Sequence, residues 1–363
     1  MKRIDQIDPN FQLPDSVPAD TQFMDAQQPP FSVGGLADNK PGVYCRLPES
    51  FLPLCNEGVQ YLAYHLAGAC VRFSTDAKAL SVVWELREAG NMPHFAASGQ
   101  SGLQLLEETD HGVHNVHQFI PAMDDGRGCR LKQSAHIELP GGLRHYALYL
   151  PLYNGLSQLM LGFPSGAQVL PGRTPRIEKP LVFYGSSITQ GGCASKVGSC
   201  YTTLLARRLD AAQINLGFSG SGRGEASMAR YIAGLTMSVF VLDYDHNAPD
   251  AQHLAATHEP FFKIVREAQP DLPIVMVSRP NFEANPEGNR IRRDIIRRTY
   301  DNARARGDRH VYMVDGETLF GTTDRDLCTV DGVHPTDLGF FRMANTLEPV
   351  LREILAGEAD AAG

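Results

Sequence analysis

Leu181-Val182-Phe183-Tyr184-Gly185-Ser186-Ser187-Ile188-Thr189 is the stretch on which the fold turns. An apolar run stopped by a glycine and a serine pair reads as a strand buried on both faces that turns sharply into a helix. The sequence downstream keeps the same grammar. Further buried-type strands are expected at 213–216, 238–243, 274–278 and 311–314, separated by segments of helix length. Tyr201, Leu204, Leu205 and Leu209 share one helical face after the first strand, and Leu338, Phe341, Leu347, Leu351 and Ile354 do so near the end. Strand–helix alternation of this kind predicts a parallel sheet covered by helices on both faces, with ligand sites at the carboxyl ends of the strands.

Upstream the pattern differs. Segments 61–66, 70–74, 80–86, 134–139 and 145–150 alternate apolar and polar residues, with glycine and asparagine turns between strands. Short strands at this spacing predict a β-sandwich over 31–172. Residues 1–30 are polar and proline-containing and read as an extended arm. Pro171-Gly172-Arg173-Thr174-Pro175 is read as the linker to the second domain, 178–358.

The 363 residues favour two cores over one. With 43% hydrophobic and 20% charged residues, the composition is that of a globular chain. A net charge of -8 argues against nucleic acid or an anionic membrane as partner. The clusters Arg290-Ile291-Arg292-Arg293 and Arg297-Arg298 fit one solvated helix face. Basic residues at the start are followed by no apolar run, and no segment is apolar for long enough to span a bilayer, so a cytoplasmic protein is expected. Seven cysteines without repeated spacing fit a reducing compartment and core-filling roles; Cys193 and Cys200 lack the spacing and histidine partners of a zinc site. No metal and no cofactor is expected, and the oligomeric state, homo-oligomer included, stays open.

Four places at strand ends carry candidate chemistry. Ser187 sits where the first strand meets its helix; a hydroxyl there is a nucleophile once a base takes its proton, although Ser-Ser at such a junction is also an ordinary helix cap. Gly217-Phe218-Ser219-Gly220-Ser221-Gly222-Arg223-Gly224 follows the second strand; its N–H groups suit a developing oxyanion or, less well, a phosphate, while the segment alone favours a plain flexible turn. Asp243-Tyr244-Asp245-His246-Asn247-Ala248-Pro249 follows the third, offering the Asn247 amide as an oxyanion donor. Adjacent Asp245 and His246 rarely converge on one ion, so a metal is not expected there. Asp331 and His334, in Asp331-Gly332-Val333-His334-Pro335, place a carboxylate three residues from an imidazole, able to orient it toward a serine. Arg279, after the fourth strand, is read either as a contact for a polar leaving group or as a surface ion-pair partner.

This succession resembles the SGNH hydrolases, or GDSL-type esterases, over residues 178–356. The four namesake residues would be Ser187, Gly220, Asn247 and His334. The resemblance implies a flavodoxin-like α/β/α domain, preceded here by a jelly-roll-like β-sandwich. It implies Ser187 as nucleophile, His334 as base, Asp331 as its orienting acid, and an oxyanion hole from the Ser187 and Gly220 N–H groups and the Asn247 side chain. Ser186 departs from the family name, which has aspartate there. The block Gly185-Ser186-Ser187-Ile188-Thr189-Gln190-Gly191 is similar instead to a subgroup with an N-terminal β-sandwich, and two-domain carbohydrate esterases have this layout. The expected substrate is a short-chain, acetyl ester of a sugar or oligosaccharide, because no long apolar lid segment is present. Alternatives are a thioesterase or lysophospholipase using the same residues, a carbohydrate-binding protein without turnover, and a nucleotide-binding protein using the Gly217–Gly224 loop.

Overall fold

The computed structural model describes residues 18, 20–124 and 128–362, so the expected arm falls outside the described residues through position 17. The chain divides into two compact units, with a boundary between Thr174 and Pro175; Ser50–Leu62 belongs with the second unit although it precedes that boundary.

Among the described residues, the first unit has two large antiparallel sheets and two short two-stranded ones, Asp38–Lys40 with Val43–Cys45 and Met123–Asp124 with Gly128–Cys129. One large sheet runs in the order Gln22–Asp25, Leu156–Phe163, Ala79–Leu86, Lys132–Glu138, so the sheet begins ahead of the expected start at 31. The other runs Val169–Pro171, Cys70–Thr75, Arg144–Tyr149, Leu103–Thr109, Gly112–Phe119, with Ser32–Gly34 also pairing to Cys70–Thr75. The pleat sends alternate residues to one face. Val71 and Phe73, Leu80, Val82 and Trp84, Tyr146 and Leu148, and Leu159, Leu161 and Phe163 meet in one buried core between the sheets. This is the expected sandwich.

The expected strand at 61–66 is absent. Helix α1 (Glu57–Leu62) and a turn take its place. Val59, Leu62, Ala63 and Leu66 are all buried, and their i, i+3, i+4, i+7 spacing is helical.

The second unit has five parallel strands, β1 (Ile177–Gly185), β2 (Ala211–Gly217), β3 (Val239–Asp243), β4 (Ile274–Val277) and β5 (Val311–Val314), in the order β2-β1-β3-β4-β5. The order reverses at β1, which places a crevice at its carboxyl end. Helix α2 (Ser187–Gln190) follows β1 directly. Helices α3 (Tyr201–Leu209) and α7 (Asp337–Ala362) pack on each other, and α4 (Ala226–Ala233), α5 (Ala251–Ala268) and α6 (Pro286–Ala305) pack in sequence. In α7 the inward aromatic is Phe340, fully buried, whereas Phe341 is 48% exposed. Phe340, Met343, Ala344, Leu347 and Leu351 keep the helical period that Phe341 breaks. Among the described residues, no helix is long and apolar enough to cross a membrane.

Candidate active site

The residues singled out at the strand ends converge. β1 stops at Gly185 because nothing larger fits: a Cβ there would lie 2.0 Å from Thr189 Oγ1 and 2.4 Å from the Asp243 carbonyl oxygen. Gly217 at the end of β2 is equally confined, since its Cβ would lie 2.2 Å from the Gln190 backbone nitrogen. Two strand ends and one helical turn thus meet at backbone distance. Ser186 caps α2: its Oγ accepts the Ile188 N–H at 3.1 Å, while Thr189 Oγ1 accepts the Ser186 N–H at 3.2 Å. Ser187 is the first helical residue and is 6% exposed.

His334 Nε2 lies 2.9 Å from Ser187 Oγ, and His334 Nδ1 lies 2.7 Å from Asp331 Oδ2. The loop that brings them there is organised by the same carboxylate. Asp331 Oδ1 accepts the backbone N–H of Val333 at 2.9 Å and of His334 at 2.7 Å, and the Val330 N–H donates to the His334 carbonyl at 2.9 Å. Asn281 Nδ2 donates to the Gly332 carbonyl. Partial burial works to raise the Asp331 carboxyl; the hydrogen bonds from the His334 ring and from the His334 and Val333 N–H groups outweigh it and bring the pKa down to about 2. The carboxylate is therefore charged wherever the imidazole needs a partner. Hydroxyl, imidazole and carboxylate form one hydrogen-bonded chain able to carry a proton off Ser187.

Two of the three expected oxyanion donors, Gly220 and Asn247, are engaged within the protein. The Gly220 N–H donates to Asn247 Oδ1 at 3.1 Å, and Asn247 Nδ2 donates to the Phe218 and Gly222 carbonyls at 2.8 and 3.0 Å. The Asn247 amide here is a staple across the Phe218–Gly222 turn rather than an outward donor.

The same loop gives the nucleotide-binding alternative no ready cradle. Every backbone N–H from Gly217 to Gly224 donates within the protein, in order to Asn215 Oδ1, the Gly185 carbonyl, Gln190 Oε1, Asn247 Oδ1, the Phe218 carbonyl twice, Glu225 Oε2 and Tyr184 Oη. A phosphate cradle needs such groups convergent and available.

Asp245 and His246 are not a metal pair. Asp245 Oδ1 accepts from Arg292 Nε at 2.7 Å, with side-chain exposures of 1% and 7%, and Asp245 Oδ2 accepts the Arg279 N–H at 3.0 Å. Arg292 is thus buried, contrary to the solvated face expected for its cluster. Burial lowers the His246 pKa to about 3, with Arg279 and Arg292 adding to the effect, so this ring is neutral. Arg279 is half-buried at the end of β4 and is no surface ion-pair partner: its Nε donates to Asn289 Oδ1 at 2.6 Å.

Sequence reasoning missed a group behind the nucleophile. Asp243, the last residue of β3, is buried and accepts from Tyr201 Oη at 2.7 Å and Thr189 Oγ1 at 3.1 Å. The available signal was a carboxylate closing an otherwise apolar strand.

Residues 178–352 match the GDSL-like lipase/acylhydrolase family, and residues 21–169 match the N-terminal domain of SGNH-hydrolase-type esterases. Among solved structures, the chain is similar to a candidate GDSL-like lipase from Bacteroides ovatus ATCC 8483, at 27% identity and a TM-score of 0.83, covering 93% of this chain and 98% of that one. It is similar in fold to the salicylyl-acyltransferase SsfX3 of a tetracycline biosynthetic pathway (18%, TM-score 0.74, covering 94% and 99%). It also shares its fold with the acetyl xylan esterase Est2A from the rumen bacterium Butyrivibrio proteoclasticus (12%, TM-score 0.58, covering 93% and 99%). No curated protein sequence matches the chain.

Proposed function

The chain belongs to the GDSL-like lipase/acylhydrolase family and is a carboxylic ester hydrolase, and from that premise we propose that it removes acetyl groups from esterified carbohydrates through Ser187, His334 and Asp331. The observation that carries the reading is the unbroken chain from Ser187 Oγ through His334 to Asp331, at 2.9 and 2.7 Å.

In this reading His334 Nε2 takes the hydroxyl proton as Ser187 Oγ bonds to the ester carbonyl carbon. The carbonyl π pair moves onto oxygen, and its return expels the alkoxide, which takes the proton from His334. Water repeats the sequence on the acyl-enzyme and releases acetate. Asp331, held charged, keeps the Nδ1–H fixed and stabilises the imidazolium. Gly220 and Asn247 serve the oxyanion once the Gly220 N–H leaves Asn247 Oδ1 and Asn247 Nδ2 leaves the Phe218 and Gly222 carbonyls.

Acetylated carbohydrate as substrate is supported by the acetyl xylan esterase and by a family two carbohydrate esterase from Clostridium thermocellum bound to cellohexaose, which share the fold. We keep the cytoplasm as the proposed compartment, on seven cysteines without the repeated spacing of a disulfide framework. The test is hydrolysis of p-nitrophenyl acetate and acetylated xylose by the wild type and by Ser187→Ala. The alanine variant should lose turnover on both; retained turnover overturns the mechanism. Faster cleavage of octanoyl or palmitoyl esters would favour a lysophospholipase or thioesterase. Glycan binding without turnover by the wild type would mark a binding protein.

A further inference from the structure

We propose that Asp243 is a positioning residue for the nucleophile: through Thr189 and Tyr201 it locks the turn that carries Ser187, and it does so from a place where a carboxylate is unfavourable to bury. The inference rests on the reading of Ser187 as nucleophile and goes beyond the triad.

The geometry is a short relay. Tyr201, the first residue of α3, and Thr189, in the turn itself, both donate their hydroxyls to Asp243 Oδ2, at 2.7 and 3.1 Å. Thr189 Oγ1, with its proton given to Asp243, is left as an acceptor for the Ser186 N–H at 3.2 Å. The Thr189 carbonyl is held from the other side by Asn215 Nδ2 at 2.7 Å. The backbone on both sides of Ser187 is therefore tied to a carboxyl group on the neighbouring strand. Gly185 lets Thr189 Oγ1 approach this closely, since a Cβ at that position would meet it at 2.0 Å.

Nothing in folding alone calls for a carboxylate at this point. Tyr201, Thr189, Asp243 and Asn215 are all buried, and among the described residues no cation faces Asp243. The groups that act on it are the Tyr201 hydroxyl from α3, the Thr189 hydroxyl from α2 and, through its charge, Asp245 two residues on. Burial raises its pKa to about 7; the Tyr201 and Thr189 hydrogen bonds work against that rise and the Asp245 charge adds to it. Because the folded protein holds this proton more tightly than the unfolded chain, the group's contribution to stability is undiminished below the ordinary carboxylate range. It falls progressively up to about pH 7 and is level above. A neutral asparagine would avoid that loss. A charged acceptor gives the two hydroxyls stronger, shorter hydrogen bonds, which is what holding a nucleophile within a fraction of an ångström requires.

The experiment compares wild type, Asp243→Asn, Thr189→Val and the double variant, with Tyr201→Phe as a further single change that keeps the carboxyl. Each is assayed for kcat and KM on p-nitrophenyl acetate, for the rate at which a fluorophosphonate labels Ser187, and for the thermal midpoint at pH 5 and pH 8. Asp243→Asn should lower kcat and the labelling rate by on the order of 10–100-fold with KM within about twofold, because misplacement of the reacting atom, not binding, is affected. Its midpoint should fall less between pH 5 and pH 8 than that of the wild type. Thr189→Val should show a similar kinetic loss, and the double variant should add little to either, as members of one relay do. Tyr201→Phe should show a smaller loss in the same quantities, and it carries the test if Asp243→Asn does not fold. Wild-type kcat and labelling rate in Asp243→Asn, or losses that multiply in the double variant, overturn the proposal. A wild type that hydrolyses no ester but is labelled at Ser187 would overturn the substrate reading alone, since the labelling rates still test the relay.

Discussion

In Asp245→Ala the guanidinium of Arg292 stays where α6 puts it, with a side chain only 7% exposed, but without its carboxylate. Arg292 Nη2 would keep the Asp245 and Ala248 carbonyls, while the Nε bond to Asp245 Oδ1 at 2.7 Å and the Arg279 N–H bond to Asp245 Oδ2 at 3.0 Å both disappear. Removing one partner of a buried pair leaves an uncompensated charge, worth about 3–5 kcal/mol of lost stability. For a folding unit of this size that lowers the thermal midpoint by roughly 6–20 °C. The measurement is the thermal midpoint and the urea midpoint at unchanged slope, for Asp245→Ala, Arg292→Met and the double change Asp245→Leu/Arg292→Met. The double variant should recover more than half of the larger single loss, because two apolar side chains of similar volume leave no charge unpaired. Asp245→Ala melting within about 2 °C of the wild type would refute the reasoning, as would single losses that simply add.

Asn247→Ala removes a staple and a candidate oxyanion donor together and should lower kcat by on the order of 10²–10³. Asn247→Asp keeps an acceptor for the Gly220 N–H but loses the amide donors, to the Phe218 and Gly222 carbonyls and to an oxyanion alike; wild-type kcat in that variant would exclude the side chain from the oxyanion hole. Asp331→Asn should lower kcat by on the order of 10⁴, measured at saturating p-nitrophenyl acetate. Because the Asp331 pKa is brought down to about 2, its partnership with His334 holds above the ordinary carboxylate range and is lost only as pH falls through that value. The pH profile of kcat/KM should accordingly show no inflection near pH 4, and one found there would refute the assignment.

What was legible in the sequence was what is local. The parallel sheet announced itself in apolar runs such as Leu181–Tyr184, and Asp331 and His334 could be paired because three residues separate them in a turn. Ser187 could be singled out from its place at a strand end, although that place alone left nucleophile and helix cap both open. The misreadings came from choosing a period over too short a window: 61–66 alternates, but extending back to Val59 shows the helical spacing of the buried side chains. In α7, choosing Phe341 over its neighbour Phe340 shifted the inward face by one residue. Pairings at long range were out of reach. Nothing in the run Arg290–Arg293 marks Arg292 as the residue whose partner lies 47 positions earlier. Asp243 likewise looks like a strand terminus until Tyr201 and Thr189 are seen to donate to it.

The least legible feature has the most to say about catalysis. An oxyanion hole inferred from residue types is imagined as a set of donors held open, whereas here Asn247 Oδ1 takes the Gly220 N–H at 3.1 Å and Asn247 Nδ2 donates to the Phe218 and Gly222 carbonyls. The Asn247 amide oxygen is at least as good an acceptor as an ester carbonyl, so a substrate in its ground state gains little by displacing it. A tetrahedral intermediate presents a full negative charge and forms charge-assisted hydrogen bonds about twice as strong as neutral ones. In the proposed mechanism the pair would open for the developing anion and stay closed against the neutral ester, which would concentrate its contribution in the transition state and not in binding. By that argument, weakening the Gly220–Asn247 bond without removing the donors should tighten ground-state binding and leave kcat little improved.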